Sequence, residues 1–353
     1  MKKLLFTLLG IAGLCCTQGV AQPAFPISVA DGKLQYATDK QGNRILDFSY
    51  CGYRNSNELI PDAEVVYTLS PSENDSELIQ GHIDALAALP LNERGLRGAI
   101  LLKEGTYLLD EPLRISASGI VLRGESKEKT VLVKRGVERG AVIYIEGAAD
   151  RQFTGEVAVT TERIPVGTTS FEVASVEGLQ VGQQLVVEQQ PVARPRGRDA
   201  EVTEALMRQL GPGNIRIGWD RTITAIEGNR LTLDDALTFE LGLRPVVVKP
   251  YTWAGRIDEC GVEHLTLVSD YDKSYPMDEN HAWTGVWLNN AEDCWVRQVD
   301  FRQFAGAAVA VQREARRVTV SDCQSFDPVS EMAGSRRRTF FTLGQHTLFL
   351  HCY

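Results

Sequence analysis

Two short stretches concentrate the side chains that acid–base and ionic chemistry needs. The first runs from Ser269 to Trp283. Within fifteen residues it holds Asp270, Asp272, Asp278, Glu279, His281 and Trp283. His281 is the one group there whose ordinary pKa lies near neutrality, so it is the candidate base. Asp270, Asp272 and Glu279 form an oxygen-rich set of the kind that holds Ca2+. The second stretch is Asp327-Pro-Val-Ser-Glu331 followed by Ser335-Arg336-Arg337-Arg338. Consecutive guanidinium groups suit bidentate capture of a carboxylate or sulfate. Removing a proton beside a carboxylate requires a cation on that carboxylate and a base on the proton. Arg336, Arg337 or Arg338, or a Ca2+ ion, supplies the first and His281 the second. Hydrolysis would instead need two carboxyl groups about 5–10 Å apart. Glu331 or Asp327 with Asp278 or Glu279 would provide them.

The surrounding elements must bring these stretches together. Val262 to Leu267, Val296 to Phe301, Val318 to Cys323 and Leu348 to Tyr353 each alternate apolar and polar residues, the period of a half-buried strand. Cysteines recur with them at 260, 294, 323 and 352, in steps of 34, 29 and 29 residues. Units recurring at such a period mark a solenoid, here a β-solenoid. Its coils would stack inward side chains, the cysteines among them. Equivalent positions in successive coils lie about 5 Å apart. The two stretches, with Arg302 and Gln303, should therefore share one side, with Trp283, Arg336, Arg337, Asp327, Gln303 and Arg302 binding substrate.

Composition narrows the partners. The chain has 353 residues and a net charge of −9, from 37 basic and 46 acidic side chains. Such a chain repels phosphate and is a poor nucleic-acid binder. An anionic polysaccharide would need a locally basic groove or a bound cation. Residues 1–21 read as a secretory leader, with Lys2-Lys3, an apolar run to Cys16 and Gly19-Val-Ala21 before the cut. Leu14 and Cys15 before the cysteines argue against a lipoprotein site. The expectation is a secreted or periplasmic protein with no other membrane span. Five cysteines remain, an odd number that favours mostly free, buried thiols.

Residues 22–149 begin with turn-separated short strands. Asp75 to Leu89 is a helix capped by Asn74 with Glu77 as its box partner, and Pro90 stops it. Leu78, Ile79, Ile83, Leu86 and Leu89 share a face suited to lidding the first coil. Then come Gly98-Ala-Ile-Leu-Leu-Lys-Glu-Gly-Thr-Tyr107, Leu113-Arg-Ile115 and Gly119-Ile-Val-Leu-Arg-Gly124. This succession resembles the N-terminal part of pectate-lyase-like proteins over about 72–146, and more loosely over 253–353. The resemblance implies an all-β, right-handed parallel β-helix. It carries over no catalytic residue: the arginine-centred motif of typical pectate lyases is missing, as is the polygalacturonase set of Asn-Thr-Asp, Asp-Asp, Gly-His-Gly and Arg-Ile-Lys.

Residues 150–250 interrupt the repeat. Ile164 to Val173 and Leu179 to Val187 read as strands, Arg221 to Leu233 as a hairpin turning at Gly-Asn, and Ala200 to Leu210 as a short helix. The segment is a small antiparallel β module inserted in one coil. Residues 251–353 resume the coils, and Tyr353 falls within a repeat, so an incomplete solenoid is expected. The combined expectation is an enzyme degrading an acidic, uronic-acid-containing polysaccharide or oligosaccharide, by β-elimination in preference to hydrolysis, with Ca2+ or no cofactor. A non-catalytic glycan-binding or adhesin-type β-helix is the alternative.

Overall fold

The computed structural model describes residues 26–189, 217–242, 245–334 and 336–353. The expected leader, the expected helix at 200–210 and Ser335 lie outside the described residues. Among those described, no helix is long and apolar enough to cross a membrane.

The chain forms the expected right-handed parallel β-helix. Each full coil contributes a strand to each of three faces. The first face aligns Val65–Leu69, Gly98–Leu102, Ile120–Gly124, the start of Gly261–Ser269, the middle of Ala291–Arg302, then Arg316–Ser321 and Leu348–Leu350, all parallel. All four sequence repeats start here, and the first two run on into the second face. The second face aligns Gly105–Leu109, Thr130–Lys134, the ends of the two long strands, and Gln324–Phe326. The third aligns Leu113–Ile115, Ala141–Glu146, Thr284–Asn289, Ala307–Val311 and Thr339–Thr342.

The inward side chains build one continuous apolar core from Leu69 through Val320 and Cys323. The helix Asp75–Ala87 adds Ile79, Ile83 and Leu86 to it, and the Asn74 side chain accepts the Glu77 N–H as expected of a cap. The cysteines are free, but they do not form one stack. Gly261 pairs with Trp295, which sets Cys260 beside Cys294. Tyr353 N–H donates to the Cys323 carbonyl, which sets Cys352 beside Cys323 in a different column.

Outward residues of the first face are covered. Ala99, Val121 and Trp295 pack under Tyr53, Ile60 and Ala63 of the entry segment. The Tyr53 and Trp295 rings meet edge-on at 5.5 Å. A Cβ on Gly261 would collide with the Trp295 indole, so only glycine fits beneath it. Beside this cluster lies Glu263, fully buried. It accepts from Arg123 Nε and Arg297 Nε at 2.5 Å each and from Trp295 Nε1 at 3.1 Å.

The inserted module leaves after Ala141–Glu146 and returns before Gly261–Ser269. Its strands pair antiparallel, as expected: Gln184–Gln189 lies between Ile217–Glu227 and Val246–Thr252, and Arg230–Leu233 closes the Gly228-Asn229 hairpin. It has its own core, including Ile164, Phe171, Val187, Trp219, Leu231 and Val248. Charge ties it to the coils. Asp220 meets Arg256 Nη1 at 2.9 Å and Arg316 Nη1 at 3.1 Å, and Tyr251 O–H donates to it at 2.6 Å. Arg316 Nε reaches Glu292 at 2.6 Å.

Burial alone would raise the Asp220 and Glu292 pKa values, but Arg316 and Arg256 outweigh it and hold both below the usual carboxylate range. The unfolded chain therefore takes up these protons first as pH falls. The stability these two acids contribute is complete above about pH 4–5 and is lost as pH drops through their folded values. Burial raises Asp258 and Glu259, which run the opposite way. We expect a thermal midpoint that falls steeply below about pH 4, and Asp220→Asn should flatten that acid limb. A limb unchanged in the variant would contradict this.

Candidate functional site

The two stretches singled out by chemistry do meet. Each joins a second-face strand to a third-face strand, and in register they lie two turns apart, with the short corner at 303–306 between them. Arg336 Nε and Nη2 donate to the two oxygens of Glu279 at 2.5 and 2.8 Å. The Glu331 N–H donates to Glu279 Oε1 at 3.3 Å. Trp283 donates its indole N–H to the Glu279 carbonyl at 3.0 Å. The Arg336 and Arg139 guanidinium groups sit 5.4 and 5.7 Å from the Trp283 ring. The Arg336 hydrogen bond holds the Glu279 carboxylate below its ordinary pKa.

Below this edge runs a column the sequence reading did not identify. Strand register aligns Arg114, Tyr144, Trp287, Ala310 and Phe341 across the third face. Their strand neighbours Ile143, Ile145, Val286, Leu288, Val309 and Val311 are buried inside, so the column points outward. Arg114 lies 4.4 Å from the Tyr144 ring, Tyr144 and Trp287 are 6.4 Å apart, and Arg338 lies 4.7 Å from Phe341. Beside them, Asn289 donates to Glu146 at 3.0 Å. At the far ends of these strands Arg151 faces Phe153, Tyr251 and Trp253 at 4.9–5.5 Å. The third face thus carries aromatic surfaces edged by arginines in a chain that is acidic overall.

Several expected site residues stand elsewhere. His281 is fully buried. Its Nδ1 is 2.7 Å from Ser269 Oγ, and its Nε2 faces the carbonyls of Asp278 and Val329 at 3.0 and 3.1 Å. Both ring nitrogens are engaged, so it pins the two loops together and cannot reach a substrate proton. His281→Ala should destabilise the fold by about 1–3 kcal/mol, by leaving those carbonyls without a donor. Glycan affinity in the folded fraction should be unchanged. A large affinity loss at unaltered stability would restore His281 to the site. Asp278 is also buried, and its carboxylate accepts from the N–H groups of Asn280 and Asp272. It shapes the loop and cannot pair with Glu331 across a bond.

The calcium expectation is corrected on similar grounds. Asp270 pairs with Lys273, Asp272 accepts from Ser274, and Glu279 belongs to Arg336. They do not converge, and no cluster of three metal-ligating side chains occurs among the described residues. Arg337 turns inward to the Ser330 carbonyl at 2.6 Å. Gln303 and Asp327 are stacked left-handed corner residues with φ of 69° and 50°. Arg302 projects from the second face, over Phe326 at 4.7 Å. Trp283, Arg336, Arg338 and Glu331 remain at the third face.

No family model and no curated protein matches the chain. Solved structures similar to it include the tailspike protein gp49 from Pseudomonas phage LKA1, at 14% identity and a TM-score of 0.42, covering 70% of this chain and 35% of that one. Others are the tailspike of E. coli bacteriophage HK620 in complex with a pentasaccharide (10%, 0.40, 81% and 32%) and an alginate lyase from Paenibacillus (10%, 0.32, 74% and 45%). The chain spans a third to a half of the length of these structures. Strand register, rather than these likenesses, carries the fold assignment.

Proposed function

We propose that the third face binds an acidic polysaccharide or oligosaccharide. The observation that carries this reading is the outward aromatic column Tyr144, Trp287 and Phe341, flanked by Arg114, Arg139, Arg336 and Arg338. Ring faces offer flat apolar area with little conformational entropy to lose, as suits the faces of sugar rings. Guanidinium groups capture carboxylates in two-point geometry. Clustered on one face, they also offset the repulsion expected from the net negative charge. We propose further that residues 1–21 act as a secretory leader, which would bring the chain to such a ligand outside the cytoplasm.

The second reading is cleavage of the same glycan by β-elimination. Glu331 favours it: this exposed acid lies close enough to Arg336 to act on its charge. Arg139 would neutralise the substrate carboxylate while Glu331 accepts the C5 proton; the C4–O4 bond then breaks to leave a C4=C5 double bond, and the departing oxygen takes its proton from water or from Glu331. Hydrolysis has less support, since Glu279 is tied to Arg336.

Titration calorimetry with oligogalacturonate, oligoalginate and a neutral oligosaccharide of equal length tests the binding. Saturable binding of an acidic ligand that weakens with salt is expected; preference for the neutral one would refute it. Absorbance of unsaturated ends in the same samples, lost in Glu331→Gln, would establish elimination. Binding without that absorbance leaves the chain a recognition protein.

A further inference from the structure

A second outward column runs beside the aromatic one, two residues further along each third-face strand. Glu146 and Asn289 are paired in register, each directly after a fully buried residue, Ile145 and Leu288. Ser116 precedes them in the column, after buried Ile115, and Gln312 follows, after buried Val311. Alternation along the strand therefore puts all four on the outer side with Tyr144 and Trp287. Two residues of strand span about 7 Å, so a glycan stacked on those rings also meets this column.

The two columns differ in charge. Arg114 over Tyr144 and Arg338 over Phe341 bracket the aromatic one, and Arg139 and Arg336 stand at its loop edge. The second column holds no basic residue; its one charge is Glu146, half-buried. Asn289 Nδ2 donates to Glu146 Oε1 at 3.0 Å, and among the described residues no cation pairs with this carboxylate. An amide donor beside a carboxylate acceptor matches hydroxyl and amide groups, each of which can both give and take a hydrogen bond. A uronate in the same place would set a second carboxylate against the first on a partly desolvated surface, where like charges repel strongly.

We propose that Glu146 and Asn289 form a subsite for an uncharged sugar bearing hydroxyl or N-acetyl groups, so that the glycan of the third face alternates uronates with neutral sugars. This deepens the reading of that face as an acidic-glycan site and rests on it. Uronate carboxylates fall to the arginines of the aromatic column and its loop edge. The sugar between them meets Glu146 and Asn289. A homopolymer of uronates has no neutral sugar to place there.

Calorimetry of the whole chain with two ligands of equal length tests this: a hyaluronan hexasaccharide, in which glucuronate alternates with N-acetylglucosamine, and hexagalacturonate. The alternating ligand should bind about tenfold more tightly or better, although it carries half the carboxylates. Glu146→Gln keeps an acceptor for Asn289 and removes the charge. It should raise the hexagalacturonate affinity about tenfold at an unchanged thermal midpoint, and added salt should shrink the gain. Trp287→Ala should weaken both ligands alike, so the subsite and the aromatic face can fail separately. Hexagalacturonate bound as tightly as the alternating ligand, or a preference unaltered in Glu146→Gln, would overturn the subsite and leave the face standing. Binding of neither ligand would overturn both.

Discussion

Replacing Trp287 by alanine should weaken binding of an acidic oligosaccharide by tenfold or more, with little change in the thermal midpoint. Trp287 occupies the middle of the outward column, between Tyr144 and Ala310 in register. It is half-buried on the outer side of the coil, away from the continuous core, so truncation leaves no core cavity. A central aromatic contact of this kind carries about 1.4–3 kcal/mol in recognition surfaces. Calorimetric affinity beside a melting curve checks both halves. Phe326→Ala, on the second face, should leave affinity unchanged. A variant at Trp287 that binds as tightly as the parent would remove the third face from consideration.

Replacing Glu263 by alanine should destabilise the fold by about 3–5 kcal/mol, the largest stability effect we expect of a single substitution. Glu263 lies fully inside, shared by Arg123, Arg297 and the Trp295 indole. Removing it leaves Arg297 and the Trp295 indole without their shared acceptor and Arg123 with only Asp62 and the Ala63 carbonyl. Breaking one partner of a buried ionic cluster costs far more than replacing the whole cluster by apolar groups. Denaturant unfolding should show the drop, and Glu263→Met combined with Arg297→Met should recover part of it. Equal stability of Glu263→Ala and the parent would contradict the burial on which this rests.

The coils were legible because each strand shows its inside face directly. Leu265 and Leu267, or Val299 and Phe301, alternate with polar residues in the period of two that a half-buried strand imposes. The capping helix announced itself through Asn74, Glu77 and Pro90. His281 misled because sequence displays a side chain's chemistry and not its direction. Its loop is rich in charge, but the chain turns inward just before the strand that starts at Thr284, and the imidazole goes into the space between two loops. The calcium set failed for the same reason: carboxylates close in sequence each found a separate local partner. The aromatic column was invisible because Tyr144, Trp287 and Phe341 become neighbours only through register across an inserted module and two loops. One signal was available: each sits between two apolar residues of its own strand or next to one, at the position where the strand period puts a large ring on the outer side.

Hydrogen exchange with bound oligogalacturonate tests the central claim most directly. Slowed exchange is predicted in the segments 136–146, 279–289 and 331–342, which carry the aromatic column and its arginines, with the first-face segments 258–265 and 291–297 unaffected. Protection confined to the first face, or none at saturating ligand, would contradict the account.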